Sequence, residues 1–133
     1  MTPAVLVVDD LPFMRSLLCD IVRAGDMSVA ATASDGHQAL TAYLANAPDI
    51  VLLDIAMPGM DGILALKKLR EIDPGARVIM CSALGEQAMI IRAIQLGARD
   101  FVVKPFHPER VLTAITRVLE ADGLLDGGPY GSG

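Results

Sequence analysis

Short apolar runs alternate with amphipathic stretches along almost the whole chain, and the two patterns have different periods. Ala4-Val-Leu-Val-Val8, Ile50-Val-Leu-Leu53, Arg77-Val-Ile-Met-Cys81 and Asp100-Phe-Val-Val103 are short blocks rich in β-branched and aliphatic residues, which read as buried strands. Met27 to Ala33 is a weaker block of the same kind. Between the blocks the apolar residues return at helical spacing. Pro12 suits a first helical turn, and Phe13, Leu17, Leu18, Ile21 and Val22 follow it until Gly25. Ser34 is the expected cap of a second helix that carries Ala39, Leu40, Tyr43 and Leu44 and stops before Pro48. Asp61 caps a third through Ile63, Leu64, Leu66 and Leu69, ended by Asp73-Pro74-Gly75. A fourth runs from about Glu86 through Ile90, Ile91 and Ile94 to Gly97, a good left-handed terminator. The fifth starts at Pro108 and sets Val111, Leu112, Ile115, Val118 and Leu119 on one face. Strand and helix alternating through short loops predict an α/β fold, a parallel sheet with helices on both faces. One domain over residues 1–121 accounts for the pattern, and the Gly-rich residues 122–133 read as a flexible tail or linker stub.

Composition narrows the class. With 133 residues, 53% of them apolar and 20% charged, the chain suits a single globular domain that buries its core unaided. Aromatic residues make up only 4%, so the core is expected to be aliphatic. No apolar run is long enough for a membrane span, and Met-Thr-Pro does not begin a signal peptide pattern. Cys19 and Cys81 form no Cys-x-x-Cys pair, which disfavours thiol redox or zinc chemistry and suits a reducing cytoplasm. Net charge is −5, and Lys67, Lys68 and Arg70 are followed at once by Glu71 and Asp73, so no basic stripe invites nucleic acid.

The candidate chemistry lies where the strands stop: Asp9-Asp10, Asp54, Ser82 and Lys104. In a parallel sheet these carboxyl ends share one edge, the edge where such sheets bind ligands. Any one of these residues could merely cap a turn; it is their joint placement that points to chemistry. Three carboxylates with oxygen-only ligation suit a hard cation such as Mg2+. Without one, two carboxylates about 4 Å apart repel by about 4 kcal/mol at an intermediate dielectric, so one of them should have a raised pKa. A metal-held carboxylate could position water for hydrolysis or attack phosphorus itself and become an acyl phosphate. The Lys104 ammonium and the Ser82 hydroxyl suit the oxygens of a phosphoryl group. Rival phosphate motifs are missing: there is no Gly-x-x-x-x-Gly-Lys-[Ser/Thr] and no Gly-x-Gly-x-x-Gly after a strand. Cys81-Ser-Ala-Leu-Gly85 is not an esterase elbow, and neither His37 nor His107 is placed as a triad partner.

Val-Val-Asp9-Asp10, Leu-Leu-Asp54-Ile-Ala-Met-Pro-Gly-Met-Asp-Gly62, Cys-Ser82-Ala and Asp-Phe101-Val-Val-Lys104-Pro-Phe106 follow one another over roughly residues 3–120. Together they resemble the receiver domain of two-component response regulators. Leu-Pro-Phe-Met-Arg15 and Cys-Ser-Ala-Leu-Gly-Glu-Gln-Ala-Met89 make the chain most similar to the stand-alone chemotaxis members of that family. The resemblance implies a flavodoxin-like (βα)5 fold with strand order 2-1-3-4-5. It implies that Asp54 accepts a phosphoryl group from a sensor histidine kinase. Asp10, Asp54 and the backbone carbonyl of Ala56 would ligate Mg2+, with Asp9 acting through a bound water. Lys104 would pair with the phosphoryl group, and the peptide before Pro105 would be cis. Ser82 would turn toward the phosphoryl oxygen as the ring of Phe101 moves inward, reshaping the face of helix four, strand five and helix five. The implied readers are a flagellar motor switch protein and a phosphatase; no nucleic acid and no membrane are implied. Phe101 lacks the hydroxyl of a tyrosine, so its part in the switch must be steric. Ala56 and Leu84, which flank the site by analogy with the family, are apolar and cannot orient an attacking water, so slow decay of the phosphorylated form is expected. The protein is thus expected to be a switch and not a turnover enzyme. Two other readings stand beside this one. The chain could be a receiver cut from a longer transcription factor or signalling enzyme. It could also be an Asp-dependent phosphohydrolase, which the lack of an Asp-x-Asp motif and of a cap insertion disfavours.

Overall fold

The computed structural model describes residues 2–125, and residues 126–133 lie outside the described residues. Of the segment read as a tail, Asp122 is held by Arg77 and Arg99, and Leu124 and Leu125 pack on the core, so the domain runs past the expected boundary at 121. The elements alternate as β1 (Ala4–Val8), α1 (Pro12–Ala24), β2 (Ser28–Ala33), α2 (Gly36–Asn46), β3 (Ile50–Asp54), α3 (Gly62–Ile72), β4 (Val78–Ser82), α4 (Gln87–Gln95), β5 (Asp100–Val103) and α5 (Pro108–Ala121). All strand pairs are parallel, and the sheet order is β2-β1-β3-β4-β5, the flavodoxin-like arrangement.

The continuous apolar runs belong to strands covered on both faces. Leu6, Val8, Val51, Leu53, Val78 and Met80 face α2, α3 and α4; Val5, Val7, Ile50, Leu52, Ile79 and Cys81 face α1 and α5. Each buried Leu or Ile contributes about 1.5–3 kcal/mol by leaving water. β2 is an edge strand with mostly half-exposed residues, which explains its weaker pattern.

Two expectations need correction. The second helix is capped by Asp35, whose Oδ1 accepts the Gln38 N–H at 2.8 Å. Ser34 stands one position earlier and instead gives its hydroxyl and N–H to Gln38 Oε1, at 2.9 and 3.0 Å. The carboxylate is the stronger acceptor for an unpaired helix N–H, and it takes the capping position. Helical spacing also overran the buried faces. Phe13, Leu44 and Ile91 are 74%, 70% and 61% exposed, and Ile94 is exposed as well. The face of each helix that meets the sheet is narrower than its apolar arc: α4 buries only Ile90 and Ala93. Asp61 does cap α3, accepting the Leu64 N–H at 2.8 Å.

Candidate functional site

The ends of β1, β3, β4 and β5 meet because their ladders stop nearly level. Asp54 closes β3 opposite Cys81, and Ser82 closes β4 opposite Val103. The chain then stays in register for one more residue, with Ile55 N–H donating to Cys81 O at 3.0 Å and Lys104 N–H to Ser82 O at 2.8 Å. Asp9 follows Val8 directly, and its N–H donates to Ala33 O at 3.1 Å. Side-chain position is therefore set mainly by backbone pairing.

The carboxylates of Asp9, Asp10 and Asp54 offer ligand atoms within 4.8 Å of one another. Lys104 Nζ lies 3.3 Å from Asp9 Oδ2 and 3.4 Å from Asp54 Oδ1. Asp9 and Asp54 are buried, at 0% and 2% exposure, while Asp10 is half-buried. Among the described residues Asp9 Oδ2 and Asp54 Oδ2 have no hydrogen-bond partner although both are buried; the Lys104 contact to Asp9 is an ion pair outside hydrogen-bonding geometry.

Electrostatics follow from this crowding. Burial first, then the neighbouring Asp9 carboxylate, push Asp54 up to about 7, with Lys104 opposing. Burial alone would lower the pKa of Lys104, but Asp54 and Asp9 outweigh it and hold the ammonium charged. Burial, and secondarily the charges of Asp54 and Asp9, push the Cys81 thiol far up, so it stays protonated and acts as packing. Three carboxylates against one ammonium, with two orphaned buried oxygens, form a donor set that fits a hard divalent cation.

Ser82 is buried between the acids and a recess of about 320 Å3 lined by Leu84, Glu86, Ile90, Ile91, Phe101 and Val103. Phe101 stands at its rim, 36% exposed. Glu86 Oε1 accepts the Ala83 N–H at 2.5 Å and folds the β4–α4 loop back on itself. Arg110 of α5 holds Phe101 O at 2.7 Å and Asp100 Oδ1 at 3.0 Å. Ala56 lies exposed just beyond Asp54, and the Lys104–Pro105 peptide is cis.

Three contributors were not found from sequence. A Cβ on Gly62 would meet Asp54 O at 2.0 Å, so only glycine lets α3 begin against the Asp54 backbone. The Asp61-Gly62 pair signals a helix start, but which backbone it approaches is a tertiary fact. Glu86, which takes the Ala83 N–H, and Arg15, whose Nη1 donates to the Asp9 carbonyl at 2.8 Å, likewise act through contacts that spacing does not announce.

Residues 5–116 match the model of the response regulator receiver domain. The chain is 51% identical over 119 residues to the chemotaxis protein CheY of Bacillus subtilis (strain 168), covering 90% of this chain and 99% of that one. It is also 51% identical over 114 residues to CheY of Thermotoga maritima, covering 86% and 95%. A solved CheX-CheY-BeF3-Mg2+ complex from Borrelia burgdorferi matches with a TM-score of 0.82 at 40% identity, over 87% of this chain and 88% of that one.

Proposed function

The chain belongs to the response regulator receiver domain family, and we propose that it is a cytoplasmic chemotaxis switch set by phosphorylation of Asp54. The observation that carries this reading is the edge cluster: three carboxylates within 4.8 Å and Lys104 at 3.3 and 3.4 Å from two of them. Asp10, Asp54 and the carbonyl of Ala56 would hold Mg2+ directly and Asp9 through a bound water; the Borrelia burgdorferi CheX-CheY complex was solved with BeF3 and that ion. When bound, Mg2+ supplies positive charge that keeps Asp54 ionised and neutralises phosphoryl oxygens.

A carboxylate oxygen of Asp54 attacks the phosphorus of a kinase phosphohistidine; the P–N bond breaks, and the imidazole leaves with the electron pair and takes a proton. Only the ionised acid is a nucleophile, so a group pushed up to about 7 gains from any nearby positive charge. Lys104 exchanges its Asp54 contact for a phosphoryl oxygen. Ser82 donates to another, which favours the loop position that brings its hydroxyl in. Phe101 then fills the recess. Its 320 Å3 is ample, since a cavity of about 150 Å3 accepts benzene. The surface so reshaped, α4 with β5 and α5, carries Ile91 and Ile94, exposed before the switch, and loses the ring of Phe101; it is read by a flagellar motor switch protein. A phosphatase such as CheX resets it; with Ala56 and Leu84 beside the site, unaided decay is slow.

Acetyl phosphate with and without Mg2+, read by intact mass, tests the reading. The expected result is a Mg2+-dependent adduct that is lost in Asp54→Asn and retained in Lys104→Ala. Continuous phosphate release from many unrelated monoesters would sink the switch in favour of a hydrolase.

A further inference from the structure

We propose that Arg15 is a positioning residue for the acidic turn: it holds the main-chain carbonyl of Asp9 and so decides where the Asp9 carboxylate points. The inference rests on the reading of Asp9, Asp10 and Asp54 as metal ligands. The ladder between β1 and β3 ends at Val8 and Leu53, one residue before Asp9. The Asp9 carbonyl is taken by Arg15 Nη1 at 2.8 Å. Its N–H is taken by Ala33 at 3.1 Å, and its Oδ1 accepts the Leu11 N–H at 2.9 Å. With N, O and Oδ1 engaged, Oδ2 alone is left over, buried and 3.3 Å from Lys104.

Arg15 is built to do this from the helix that the turn itself starts. Its own N–H donates to Leu11 O at 2.9 Å, so Leu11, the residue that closes the turn, also anchors the helix turn that carries Arg15. A guanidinium is planar and permanently charged, and it donates to a carbonyl at any working pH. Without a donor the carbonyl would lie unsatisfied beside the buried cluster, and the turn would relax to find one. The relaxation would swing Oδ1 off Leu11 and Oδ2 off the site.

The sign of one measurement separates this role from that of a bystander. A cation near the site that positions nothing repels an incoming divalent ion, so removing it tightens Mg2+ binding. Removing a positioning residue weakens it. Mg2+ is titrated by calorimetry into the metal-free parent, Arg15→Ala and Arg15→Lys, alongside amide exchange at Leu11 in chelator. In Arg15→Ala, affinity should fall about tenfold, as it does when outer partners of metal ligands are lost, and Leu11 exchange should quicken. Lysine, still able to donate to the carbonyl, should recover most of both. Acetyl phosphate labelling at saturating Mg2+ should stay within about twofold, because the ion restores the turn. Unchanged or tighter Mg2+ binding in Arg15→Ala, with the parent binding normally, overturns the inference alone. A parent that binds no Mg2+ overturns the metal reading and this inference with it. If Arg15→Ala does not fold, the neutral and shorter Arg15→Gln gives the same choice of sign.

Discussion

At the amino edge of the sheet, Asp122 lies between two arginines: Arg99 grips both carboxylate oxygens at 2.8 and 2.9 Å and Arg77 adds a contact at 2.6 Å. At the carboxyl edge, Asp54 faces two other acids and one lysine. Arg99 and Arg77 hold the Asp122 carboxyl well below the usual range; burial and Asp9 push Asp54 up to about 7. The same residue type is therefore satisfied at one end of the strands and frustrated at the other. The first arrangement ties the end of α5 to the starts of β4 and β5. The second stores a demand for positive charge that a cation and a phosphoryl group can answer.

The comparison is broken most forcefully by glycine substitutions at the two edges. Gly62→Ala drives a methyl group into the Asp54 backbone at 2.0 Å, whereas a Cβ at Gly75 meets only Asp73 Oδ1 at 3.3 Å. Gly62→Ala should cost about 3 kcal/mol in urea unfolding and Gly75→Ala less than about 0.5 kcal/mol. Similar losses at both positions would mean that the carboxyl edge is no tighter than the other.

Charge removal gives the next effect, and its sign depends on the edge. In chelator at pH 8, Asp54→Asn should be more stable than the parent by about 1–3 kcal/mol, since an ionised buried acid is replaced by a neutral one. Saturating Mg2+ should erase the gain by stabilising the parent. Asp54 has a folded pKa above its unfolded value of about 4, so its contribution is complete below about pH 4 and is lost as pH rises through about 7. The metal-free parent should lose stability across that window while Asp54→Asn stays nearly flat. Parallel pH profiles would remove the claim of frustration.

Asp122→Ala is the smallest expected change. Its side chain is 26% exposed, so solvent screens the pair and the loss should be about 1 kcal/mol. Asp122 titrates below its unfolded value, so that stability is present above about pH 4 and disappears as pH falls further. Chemical unfolding at pH 7 and at pH 3 checks it: the gap between parent and variant should narrow at the lower pH without closing, because the folded carboxyl is still ionised there.

Much of this architecture could be read along the chain because burial on both faces makes each inner strand a continuous apolar run, as at Ile50–Asp54 and Val78–Ser82. The polar residue that ends each run was visible for the same reason. Periodicity served the helices less well. It marks which residues share a face but not how wide the contact is, so Phe13, Ile91 and Ile94 fall on the apolar arcs although they face outward. Ser34 and Asp35 stand side by side as acceptors, and the carboxylate, the stronger of the two, caps α2.

Sequence alone determined the order of strands and helices, the identity of the polar strand ends and the family those motifs resemble, because local period and residue type carry that information. Tertiary structure decided what those ends do to one another. Parallel pairing brought Asp54 beside Asp9 and Lys104 within reach of both, while the start of α3 set Gly62 against the Asp54 backbone and the first turn of α1 carried Arg15 to the Asp9 carbonyl. Distance and burial set the pKa of Asp54, and both depend on residues far away in the chain.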